Sequence, residues 1–191
     1  MAVGHILTTQ SHSSGSASTN QASFNWSHAN GGTTPRGVLV YTFHTPATGD
    51  IVTNVTYGGV ALTAVPGGRA ADTATEPGDC KAWFLGSGIP TGTQTVEVTR
   101  TNNSDQVWAT ATTVSADDDT EVVGTTIQQE NGTFAAISVN DGSTGVNSMR
   151  FAGGYSGGAN ILSAATGSTV TASNDLGNYT DTVCRESTAG Q

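Results

Sequence analysis

Apolar residues recur at every second position in short runs along the chain, and Gly, Ser, Thr, Asn and Asp separate the runs. That period belongs to strands with one buried face, and the regular turn clusters belong to an all-β sandwich or barrel. Phe24, Trp26 and His28 alternate with Asn25 and Ser27, which predicts a strand with one aromatic face. Residues 94–100 alternate Val96 and Val98 with polar side chains in the same way. Residues 36–44 are apolar on both faces and predict a central strand covered from two sides. The runs 52–57 and 60–65 flank Gly58-Gly59, a dipeptide that accepts the positive φ angles of a tight hairpin. Further strands are predicted over 3–9, 80–85, 107–115, 133–139, 146–152, 160–164, 169–172 and 178–184. Residues 10–21 read as an extended arm and 67–79 as a loop, with hairpin punctuation at Asn131-Gly132 and Asn140-Asp141-Gly142. No window carries a 3.6-residue period. The expectation is an antiparallel, jelly-roll-like β-sandwich over residues 22–191, preceded by an N-terminal strand and arm over residues 1–21.

Composition adds a constraint on partners. Only 11% of the 191 residues are charged, against roughly 25% in ordinary domains, so Thr, Ser, Asn, Gln and Gly must form the polar surface. The net charge is −9 and Lys81 is the only lysine. Nucleic acid and anionic membrane surfaces need clustered Lys and Arg and are therefore excluded as partners. The chain has no apolar run of membrane-spanning length, and the N-terminus has neither a basic nor a hydrophobic leader segment, so synthesis in the cytoplasm is expected. Cys80 and Cys184 are then expected as reduced thiols. Residues 1–35 and 151–174 hold no Asp, Glu, Lys or Arg. Such blocks fit surfaces covered by a partner or a second copy, and equally Gly/Ser-rich loops that need no charge.

Candidate chemistry is sparse. Gly154-Tyr155-Ser156-Gly157-Gly158 matches the G-x-S-x-G of a serine-hydrolase elbow, but 159–166 make a poor helix and no histidine follows His44. His5, His12, His28 and His44 have no metal-ligand spacing and read as solvated or strand-end residues. Asp117, Asp118, Asp119, Thr120 and Glu121 gather oxygen donors without the spacing or glycine of a Ca²⁺ loop, and read as an exposed turn. Trp26, Trp83 and Trp108 sit in alternating strands, where core packing is favoured over a sugar-stacking platform. No catalytic, cofactor-binding or metal residue is assigned, and no cofactor is expected.

Several stretches resemble a known family when taken in order. Residues 52–65 (Val-Thr-Asn-Val-Thr-Tyr-Gly-Gly-Val-Ala-Leu-Thr-Ala-Val) are similar to a hairpin of the jelly-roll-like domains of bacteriophage virion proteins, a domain also found in some bacterial surface proteins. The aromatic strand 81–85, the Pro-x-Gly turn leading into 89–99, and the opening strands 23–28 and 37–43 follow in that family's order. The end of the chain, 186–191, departs from the pattern, which closes with an apolar aromatic strand; either the sheet closes differently or the chain runs on. The resemblance implies a structural role on a virion surface, as capsid decoration, head fibre or tail component. It also implies docking to the major capsid protein or another virion protein and homo-oligomers. A carbohydrate-binding or adhesion module, with a glycan as partner, is the alternative.

Overall fold

The computed structural model describes residues 3–5, 11–12, 21–31, 35–45, 49–72, 78–101, 105–116, 149–157, 168–175 and 179–187. The strands expected over 133–139 and 160–164, the turns at Asn131-Gly132 and Asn140–Gly142, and the acidic turn Asp117–Glu121 lie outside these residues.

The alternating runs become antiparallel strands. β1 (Val3–His5), β2 (Ser11–His12), β4 (Pro35–Thr45), β7 (Thr63–Asp72), β8 (Gly78–Leu85) and β10 (Gln106–Ala116) form sheet A. Its order is β1-β10-β4-β8-β7, and β2 follows β1 along the same edge of β10. β3 (Ser23–Ala29), β5 (Val52–Tyr57), β6 (Val60–Ala61) and β9 (Thr93–Arg100) form sheet B in the order β3-β9-β5-β6. β11 (Met149–Gly157), β12 (Ser168–Asp175) and β13 (Tyr179–Ser187) form sheet C in the order β11-β13-β12. The fold is an all-β sandwich.

Sheets A and B enclose an aliphatic core. Val38 and Val40 of β4, Val107 and Ala109 of β10, and Trp83 and Leu85 of β8 meet Val55 and Tyr57 of β5 and Val96 and Val98 of β9. The opposite face of sheet A is aromatic: Leu39, Tyr41 and Phe43 of β4 lie beside Trp108 of β10 and Ala82 of β8. Phe43 stacks on Trp108 at 6.1 Å and on Tyr41 at 6.4 Å between centroids. Sheet C lies across this face, with β11 against β8 and β4 and with β12 and β13 against β10. β4 is therefore buried from both sides, as its doubly apolar sequence predicts.

Two expectations are corrected. The run 60–65 is not one strand: the hairpin at Gly58 and Gly59, both at positive φ, returns only as far as β6. The chain then crosses between sheets at the buried Leu62, and β7 begins in sheet A. Residues 67–72, expected as loop, belong to β7. A register shift between Ala64 and Arg69 absorbs Pro66-Gly67-Gly68, and pairing resumes at Arg69 opposite Lys81. A bulge tolerates the missing proline donor and the positive φ of Gly67, so turn-type residues sit inside a strand.

Candidate functional site

Three places gather polar chemistry on the sandwich. At the end near Val38, the inward row of β3 carries Phe24, Trp26 and His28 against sheet A. His28 is 1% exposed. Its Nδ1 lies 2.8 Å from Ser11 Oγ and its Nε2 lies 3.0 Å from Thr113 Oγ1. Trp26 Nε1 donates to the same Ser11 oxygen at 2.8 Å. The imidazole meets the Tyr57 ring edge-on at 5.7 Å, and the Tyr57 hydroxyl donates to the Gly92 carbonyl at 3.0 Å. Burial depresses the His28 pKa to about 4, so the ring is neutral at pH 7.

A serine beside a histidine suggests a nucleophile and its base, a role in which the imidazole must take up a proton. Burial opposes that proton here. The far nitrogen meets a threonine hydroxyl, which lacks the negative charge that steadies an imidazolium. The arrangement works instead as a clasp. It ties β2 to β3, and β3 to β10, by hydrogen bonds that satisfy both ring nitrogens in either neutral tautomer.

The opposite end is charged. His44 of β4 pairs with Asp79 of β8. Asp79 is 2% exposed and is held by Arg69 of β7. Burial raises the Asp79 pKa to about 6, against the opposing pull of Arg69. Lys81 Nζ lies 2.6 Å from Asp50 Oδ2 and 4.3 Å from the centroid of the Trp83 ring. His44 Nε2 donates to the Gly49 carbonyl at 2.9 Å. Burial lowers the His44 pKa, and that hydrogen bond opposes the shift.

The third place is the outer face of sheet B. The register sets Ser23, Asn25, Ser27 and Ala29 of β3 beside Thr99, Glu97, Thr95 and Thr93 of β9. Asn54 and Thr56 of β5 continue the face. Hydroxyls, amides and a methyl group cover it, and Glu97 is its one charge among these positions.

The residues singled out by sequence fall in separate places. Ser156 lies within β11 opposite Thr180, in extended backbone rather than at the strand-to-helix turn of an elbow. His5 and His12 lie on β1 and β2 along the β10 edge. His28 and His44 are buried rather than solvated. Among the described residues, no group of three or more His, Cys, Asp or Glu is placed to hold a metal ion. Trp83 and Trp108 are buried, and half-buried Trp26 packs on the core. Cys80 is half-buried in β8, while Cys184 belongs to β13. Ser11 and Thr113 escape a reading by sequence. They lie 17 and 85 residues from His28, and no local pattern links them. No protein-family model, no curated protein and no solved structure matches the chain.

Proposed function

We propose that this chain is a structural protein of a bacteriophage virion. In this reading it is a capsid decoration or head-surface subunit that acts by docking on the major capsid protein or another virion protein. The observation that carries the reading is the outer face of sheet B. A strand surface of Thr, Ser and Asn with a single carboxylate suits close protein contact, because few charges lose their water on docking. Stable attachment through such a surface needs burial of about 800 Å² per partner and no reaction.

Strand order supports the jelly-roll part of the reading. With β1 and β2 counted as one interrupted strand and β7 set aside as an added edge, the chain sets its first, eighth, third and sixth strands (β1/β2, β10, β4, β8) in one sheet. The second, seventh, fourth and fifth (β3, β9, β5, β6) form the other. Two interleaved Greek keys produce that order. β7 adds a further edge beside β8, and sheet C extends the sandwich to a third layer.

A glycan-binding module is the second reading, since hydroxyl and amide rows also suit sugars. It is less favoured because Trp83 and Trp108 are buried and Trp26 is bound to Ser11, which leaves none of the three tryptophans open as a stacking platform. Immunogold electron microscopy of particles from the source, with an antibody to this domain, tests the proposal. Regular labelling over the head is the expected result. Labelling confined to the tail would move the role to host attachment, and unlabelled particles would overturn the virion reading.

A further inference from the structure

Sheet edges normally carry a guard against unwanted pairing: charge, proline, a bulge or brevity. Among the described residues, most edges have one. β7 contains Pro66, Arg69 and a register shift. β6, β1 and β2 are two or three residues long. In sheet C, β12 shifts register between Val170 and Ala172, and β11 combines Arg150 with Gly153, Gly154 and Gly157. β3 is the exception. It is seven residues long, regular in register, and free of charge, proline and glycine.

The hydrogen-bond phase of β3 shows which backbone groups face outward. Arg100 N donates to Ala22 O and Asn30 N donates to Gly92 O. Positions 22 and 30 are thus bonded to β9, and the alternation of an antiparallel ladder assigns 24, 26 and 28 to the same side. Ser23, Asn25, Ser27 and Ala29 therefore direct their N–H and C=O groups away from β9. Among the described residues no backbone group pairs with them. Among the described residues, the hydrogen bonds from β2 to β3 come from the Ser11 side chain.

We propose that β3 is a subunit interface: two copies pair their β3 strands antiparallel across a two-fold axis, joining their B sheets into one continuous sheet. Centred on Trp26, the register sets Ser23 opposite Ala29 of the second copy and Asn25 opposite Ser27, and forms about eight N–H···O bonds. The side chains brought together on the outer face are small and uncharged. In a chain of net charge −9, an uncharged edge lets two copies meet without placing like charges opposite each other. The two Glu97 carboxylates would stand roughly 14 Å apart, three strand spacings, which exceeds the ~8 Å screening length at physiological salt. The inference rests on the edge itself and not on where the protein acts.

Sedimentation equilibrium of the full chain at about 100 µM, a concentration that fills a micromolar contact and leaves a millimolar one mostly empty, is the first test. A dimer is expected, and a monomer would overturn the proposal. The double variants Asn25→Lys/Ser27→Lys and Asn25→Glu/Ser27→Glu set like charges opposite each other in this register. Each alone should be monomeric, and an equimolar mixture of the two should be dimeric. Dimers that persist in either variant, or a mixture that stays monomeric, would overturn it. Amide exchange on the unaltered protein is independent of whether the variants fold. Exchange at 23, 25, 27 and 29 should slow as concentration rises from about 1 to 100 µM across the same transition. Concentration-independent exchange at these four amides would also overturn the assignment.

Discussion

The two ends of the A–B sandwich solve the same problem in opposite ways. Both bury a histidine and polar partners between the sheets. At the β3 end the partners of His28 are neutral: a serine, a threonine and the Trp26 N–H that shares the serine. At the β8 end His44 neighbours Asp79, and Arg69, Asp50 and Lys81 surround that pair with full charges. The neutral end demands a fixed protonation state, because a proton on His28 would be a charge in the core with no anion to meet it. At the charged end, Asp79 can be neutralised by a proton or held by Arg69. Burial thus lowers the pKa of His28 and raises that of Asp79, and these two groups respond to acid with opposite sign.

The largest expected effect breaks the neutral end. His28→Ala should lower stability at pH 7 by about 3 kcal/mol, since it removes a buried ring against Tyr57 and both of its hydrogen bonds. Urea unfolding measures this, and a change below about 1 kcal/mol would mean that the clasp is not structural.

Acid separates the ends. The His28 pKa falls from 6.5 unfolded to about 4 folded. Between those values the unfolded chain binds a proton that the folded chain refuses, so acidification removes roughly 3 kcal/mol. The lowered His44 acts in the same direction. The Asp79 pKa rises from 3.8 to about 6. Between those values the folded chain binds the proton first, so acidification adds a similar amount, roughly 3 kcal/mol. The two contributions offset each other in the native protein. Asp79→Asn should expose the loss, with stability falling by about 3 kcal/mol from pH 6.5 to 4. A flat profile in that variant would show that no offset exists.

Smaller effects sharpen the contrast. Arg69→Met leaves the Asp79 carboxylate without its cation and should cost about 1 kcal/mol at pH 7. Most of that loss should disappear at pH 5, where Asp79 takes a proton, and a loss that is the same at both pH values would place the effect in packing. Ser11→Ala should cost about 1 kcal/mol or less. It should also shift Trp26 emission, because the indole N–H loses its acceptor while the core stays intact.

Much of this architecture could be read along the chain. The period-two runs located β3, β5, β9 and β10, and the doubly apolar run over 36–44 announced β4, the strand with two buried faces. Pro66-Gly67-Gly68 misled, because composition does not distinguish a turn from a bulge within a continuing strand. The split of 60–65 between two sheets was also illegible, since Leu62 differs from its apolar neighbours only in where the chain goes next. His28 read as a solvated or strand-end histidine for a related reason: its environment is supplied by Ser11 and Thr113, neither of which is local to it.

Alternation decided which side chains turn inward, because a strand has a fixed geometry that each run obeys without reference to the rest of the molecule. The scarcity of charge was likewise a property of the sequence, and it determined that exposed strands such as β3 would be covered by hydroxyl and amide groups. Tertiary structure alone decided which strands became neighbours, which edges were guarded, and which histidine met neutral partners and which met charges. Pairing between strands depends on contacts distant in sequence, and those form only when the whole sandwich closes.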